Sequence, residues 1–135
     1  MKISKNFALE ELTQSQTAEA LKIDNTPAAE QIVNLCALVY NVLQPLRDRE
    51  GLPVKITSGY RCPKLNKAVG GVTSSQHMRG QAADIKIQGR EPRYIADVIA
   101  LNCPYDQLIE YPTFVHVSYN VHGNRRQRIS KCGGK

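Results

Sequence analysis

Between residues 26 and 49 the apolar side chains Ile32, Leu35, Cys36, Val39, Val42, Leu43 and Leu46 recur at spacings of three and four, which is one face of a helix. A stripe of this kind has to be buried against another layer. Thr26 is placed to cap the helix with Pro27 at its first position, Pro45 should kink or end its last turn, and Gly51, Leu52 and Pro53 should stop it. Residues 7–12 and 17–21 read as short helical turns, 63–69 as a short helix and 93–102 as a longer one. Elsewhere the period changes to two. Residues 54–58 alternate, and so do 83–88, with Ile85 and Ile87 on one face and Asp84 and Lys86 on the other. Residues 105–111 and 114–119 read as two further strands joined through Pro112. The joining loops are too short for repeated parallel crossovers. The expected class is therefore α+β, with N-terminal helices packed on a small antiparallel sheet.

A chain of 135 residues suits one domain, and 41% apolar residues suffice for a core without a metal or disulfide staple. No apolar run reaches the roughly 20 residues of a membrane span, so membrane insertion is not expected. Glu10 and Glu11 stand where a signal peptide would be apolar, which places the chain in the cytoplasm as synthesised. The net charge of +6 is local: Arg125, Arg126, Arg128, Lys131 and Lys135 hold five of those charges. This divides the chain into a nearly neutral domain over 1–122 and a basic tail over 123–135, read as a flexible solvated end. A tail without interleaved aromatics is a weak nucleic-acid signal, and no nucleic-acid partner is expected. The four cysteines, 36, 62, 103 and 132, form no C-x-x-C pair, so neither a zinc knuckle nor a disulfide is predicted.

The chemistry concentrates between Ser75 and Asp84. His77 sits in a polar segment beside Gly80, Asp84 opens a strand on its polar face, and His116 lies in the apolar strand Phe114, Val115, His116, Val117. A histidine in such a strand is by itself an ordinary hydrogen-bonded residue at the edge of a core. Alternation, however, puts His116 opposite Val115 and Val117, free to leave the core face. Two neutral imidazoles and a carboxylate meeting at the end of a sheet would give a tetrahedral zinc three ligands, with water in the fourth position.

Ser-x-His-x-x-Gly-x-Ala-x-Asp from Ser75 to Asp84, followed by a strand histidine, resembles the zinc peptidoglycan peptidases. That family includes D-Ala-D-Ala carboxypeptidases, D-Ala-D-Ala dipeptidases and L-alanyl-D-glutamate endopeptidases, and it shares a fold with hedgehog signalling domains. The likeness runs through Ser58, Gly59, Tyr60, Arg61, Cys62 and Pro63, then Leu65, Asn66, Gly70 and Gly71, and on through Phe114 to Ser118. The resemblance implies His77, Asp84 and His116 as ligands of a zinc cofactor and Arg61 facing the substrate, with Ser75 and Gln76 close to the metal loop as substrate-binding residues. Many members carry a general base two or three residues before the last histidine, where this chain has Phe114 and Thr113. Glu110, six residues before His116, matches a spacing of hedgehog-type domains and is the expected base, with Asp106 in reserve. Service by Glu110 requires an odd-numbered connection around Pro112, or a bulge, to bring it onto the face of His116.

The resemblance implies a zinc metallopeptidase, expected to be monomeric, that cleaves an amide bond in peptidoglycan stem or cross-link peptides, as a carboxypeptidase or an endopeptidase. The alternative is a non-catalytic zinc-containing module that binds the cell wall or a protein partner. A fourth protein ligand, or a Glu110 turned away from the metal, would favour that alternative.

Overall fold

The computed structural model describes residues 1–132. Two short helices, α1 (Leu9–Thr13) and α2 (Gln16–Leu21), precede a rod made of α3 (Ala29–Leu38), a π turn (Val39–Leu43) and α4 (Gln44–Glu50). Most of the stripe is buried as its spacing predicts: Leu35, Val39, Val42, Leu43 and Leu46 lie in the core together with Leu38, while Ile32 and Cys36 are only half-buried. Pro45 neither ends nor breaks the rod. Its ring nitrogen has no proton for the Asn41 carbonyl, and the preceding turn widens, with Gln44 N donating to Val39 O. The cap also moves. α3 starts at Ala29, where the Gln31 side chain accepts from Ala28 N at 2.8 Å, while the Thr26 hydroxyl donates to Asp24 instead.

The sheet contains β1 (Lys55–Ser58), β2 (Ala82–Lys86), β3 (Gln107–Glu110), β4 (Val115–Ser118) and β5 (Gln127–Ser130), in the order β1-β2-β4-β3-β5. α5 (Pro63–Ala68) follows β1, and α6 (Pro92–Asn102) lies between β2 and β3. Ala83, Ile85, Leu108, Val115 and Val117 project from one sheet face into the core shared with the helical rod and α6. The class is α+β, as expected. No described helix is long and apolar enough to cross a membrane.

Two local expectations fail. The segment read as a solvated tail supplies β5, which pairs with β3 in parallel, whereas the other strand pairs are antiparallel. Its single apolar residue, Ile129, hides a strand whose stability comes from backbone bonds such as Gln127 N to Asp106 O and Lys131 N to Glu110 O. Residues 133–135 of the expected tail lie outside the described residues. The second failure is register. Tyr111 N donates to Phe114 O at 3.0 Å, Pro112 and Thr113 make the turn, and Glu110 therefore pairs with Val115. All four cysteines are free thiols.

Candidate metal centre

Register decides what faces the site. His116 pairs with Asp84 on one side and with Ile109 on the other, and directly paired residues point to the same face. His77 reaches that face from a 3-10 turn, Gln76–Arg79, just before β2. Gly80 ends the turn at φ +73°, and a Cβ there would stand 2.5 Å from the Gln31 carbonyl oxygen, so only glycine lets the turn lie against α3. Asn34 of α3 supports the same turn by donating to Arg79 O at 2.9 Å.

The His77, Asp84 and His116 ligand atoms all lie within 4.8 Å of one another. Asp84 Oδ1 is 3.4 Å from His77 Nε2 and 3.0 Å from His116 Nδ1. A tetrahedral zinc with bonds of about 2.0–2.1 Å spaces its ligand atoms about 3.4 Å apart, so the two distances from Asp84 are close to those of a zinc site. His77 is oriented for it. The Gly59 carbonyl, 2.7 Å from His77 Nδ1, can only accept, so Nδ1 carries the proton and Nε2 turns its lone pair toward Asp84. Burial pushes the Asp84 carboxyl up, but the neighbouring imidazoles of His116 and His77 outweigh it and hold the group far below the ordinary carboxylate range. The donor set, two imidazoles and an ionised carboxylate, fits zinc.

A cavity of about 520 Å³ opens over the cluster and is lined by Arg61, Ser75 and Gln76 as well as by the three ligand candidates. Asn25 fixes the Arg61 segment: its amide donates to Tyr60 O and its carbonyl accepts from Cys62 N. Arg61 Nη2 reaches Ser75 Oγ at 3.4 Å, and Nε is buried without a partner. Burial lowers the guanidinium pKa against the opposing pull of Asp84, but arginine stays charged. Ser75 Oγ also accepts from His77 N, so one hydroxyl ties the arginine to the metal turn. The Cys62 thiol only caps α5, accepting from Leu65 N.

Neither base candidate joins this group. Glu110 shares the face of Leu108 and Val115, and its carboxylate meets Arg93 at 3.5 Å, Arg128 at 4.0 Å and the Cys132 thiol at 3.0 Å on the α6 side. Ile109 takes the place beside His116 that a three-residue connection would have given Leu108, with Glu110 as the diagonal neighbour on the same face. Asp106 is buried and held by Gln76 and Arg125. Among the described residues, Asp84 is the only carboxylate lining the cavity. Sequence reasoning also missed Arg125 and Lys131, which line it from either side of β5 in the segment mistaken for a tail.

A model of the Peptidase M15 family matches residues 5–118. The chain belongs to this family. No curated protein matches it. Membership implies a zinc peptidase acting on peptidoglycan, and the His77, Asp84 and His116 cluster of the M15 domain is a site that could bind the metal. The match ends with β4, so β5 and the two cations that flank it lie beyond the matched part of the M15 domain.

Proposed function

We propose that this M15 domain hydrolyses an amide bond next to a free carboxylate in peptidoglycan stem or cross-link peptides, with His77, Asp84 and His116 holding zinc. The observation that supports this best is the convergence of two imidazoles and a carboxylate, their ligand atoms within 4.8 Å of one another, on the floor of a cavity that also presents Arg61. When bound, zinc supplies an activated water and polarises the scissile carbonyl. Arg61 lines the cavity and offers a rigid guanidinium to the substrate carboxylate or to the anion that develops during cleavage. Ser75 keeps that fork beside the metal turn, and the Gly59 carbonyl keeps His77 in the tautomer that can ligate. Gln76 acts as part of the wall, because its amide donates to Asp106 at 2.9 Å.

The position of Glu110, remote from the cluster, favours the second reading, a wall-binding module whose zinc is structural. Against it, the cluster has no fourth His, Cys, Asp or Glu ligand among the described residues, and an open position is what a catalytic zinc requires. Mass spectrometry of defined muropeptides incubated with zinc-loaded protein tests the proposal. Released D-alanine identifies a carboxypeptidase, and paired peptide fragments identify an endopeptidase. Activity should vanish with a chelator and return with zinc. Zinc-loaded protein that leaves every stem-peptide fragment intact would sink the peptidase reading and leave the binding module.

A further inference from the structure

β5 brings a second set of anion-binding groups to the cavity. Arg125 precedes the strand, and its backbone N and Nε donate to Asp106 Oδ1 at 2.7 and 3.1 Å while Nη2 donates to Oδ2 at 2.9 Å. The carboxylate is almost wholly buried, with 3% of its side chain exposed, whereas the Arg125 side chain is 56% exposed and lines the cavity. An ion pair serving stability alone has no need to leave its guanidinium open on the wall of the metal site. The same Asp106 carboxylate accepts from Gln76, the residue before His77, so one buried acid ties Arg125 to the metal turn. At the other end of β5, Lys131 also lines the cavity, with its ammonium 5.8 Å from the centre of the Tyr111 ring. Alternation along β5 separates these residues from Arg128, which turns to the other face and pairs with Asp97 of α6 at 2.7 Å.

We propose that Arg125 and Lys131 form a second anion anchor, distinct from Arg61, that selects peptides carrying a second free carboxylate. The proposal rests on the peptidase reading for its substrate class. Among the described residues, three cations, Arg61, Arg125 and Lys131, line a cavity whose only lining carboxylate, Asp84, belongs to the candidate metal cluster. A peptide with a single carboxylate engages one of these positions, and a dicarboxylate spans two. Asp106 is a positioning residue: it presents the Arg125 fork in a fixed orientation, which a surface arginine would lose as rotamer entropy on binding.

The test compares two stem peptides that differ only in whether the second carboxylate is free or amidated. Zinc-loaded protein is assayed for kcat/KM where cleavage occurs, and for equilibrium binding by calorimetry where it does not. The wild type should favour the diacid by about tenfold, the scale of one charge-assisted hydrogen-bonded contact. Arg125→Gln should reduce that ratio to about twofold or less, and Arg125→Lys, which keeps the charge without the fork, should fall between. Arg128→Gln, on the opposite face, should keep the wild-type ratio. Equal handling of the two peptides by the wild type, or an Arg125→Gln loss equal on both, would overturn the anchor. Cleavage without a diacid preference rejects only the anchor, and a diacid preference in binding without cleavage rejects only the peptidase reading.

Discussion

Gly59→Ala should damage both the fold and the metal site. A Cβ at position 59 would stand 2.2 Å from the Leu12 carbonyl oxygen, 2.8 Å from its carbon and 2.9 Å from Leu12 Cα. All three are backbone atoms, so no rotamer change relieves the contact. Reaching ordinary van der Waals distance requires the two segments to part by about 1 Å, which stretches the 2.7 Å bond from Tyr60 N to Leu12 O. Overpacking costs about 1–3 kcal/mol, and the weakened hydrogen bond adds about 0.5–1.5 kcal/mol. At about 3–4 °C per kcal/mol for a chain of this size, the melting temperature should fall by roughly 5–18 °C. The displaced Gly59 carbonyl also orients His77, and loss of such a partner weakens metal binding by about 10–100-fold. Differential scanning calorimetry of the metal-free protein and competitive zinc titration read the two effects separately. A melting temperature within about 2 °C of wild type would refute the packing argument. A lowered one with unchanged zinc affinity would refute the role given to the carbonyl.

Glu110→Gln should keep one zinc per chain and a kcat within about threefold of wild type, because the carboxylate faces α6. Its partners are arginines that water can reach, so the stability loss should be about 1 kcal/mol, read by urea titration. A kcat lowered by orders of magnitude would put the residue back at the metal. The Asp106 carboxyl is pushed up by burial but held below its usual range by the stronger combined effect of Arg125 and Gln76. A depressed folded-state pKa stabilises fully above the unfolded value of about 3.9, and that contribution is lost as the pH falls through the folded value. The stability gap between wild type and Asp106→Asn should therefore be widest near neutral pH and narrow in acid; a gap that widens in acid would contradict the pairing.

The convergence of His77, Asp84 and His116 was legible because its signal is local and stereochemical: a 3-10 turn over Gln76–Arg79 and the left-handed Gly80 join His77 to the strand of Asp84, and alternation alone turns His116 from the core. The helical rod was legible for the same reason, its stripe having one way to be buried. Glu110 was misplaced because facing depends on whether the hairpin connection is odd or even. Phe114 reads equally well as strand or turn until its ring is seen stacked on Tyr111 with centroids 4.5 Å apart. β5 was hidden by composition, since an edge strand with one apolar residue leaves no alternating pattern and its arginines read as solvated charge. The cations that flank β5 became visible as cavity residues only through the buried Asp106 and the parallel pairing with β3.

X-ray absorption at the zinc edge of the loaded protein reads the coordination shell directly. The expected spectrum shows one zinc with two imidazole nitrogens and oxygen from a carboxylate and a water, all at about 2.0–2.2 Å, and no sulfur. A sulfur shell at about 2.3 Å, or a fourth protein ligand in place of water, would contradict an open catalytic zinc at His77, Asp84 and His116.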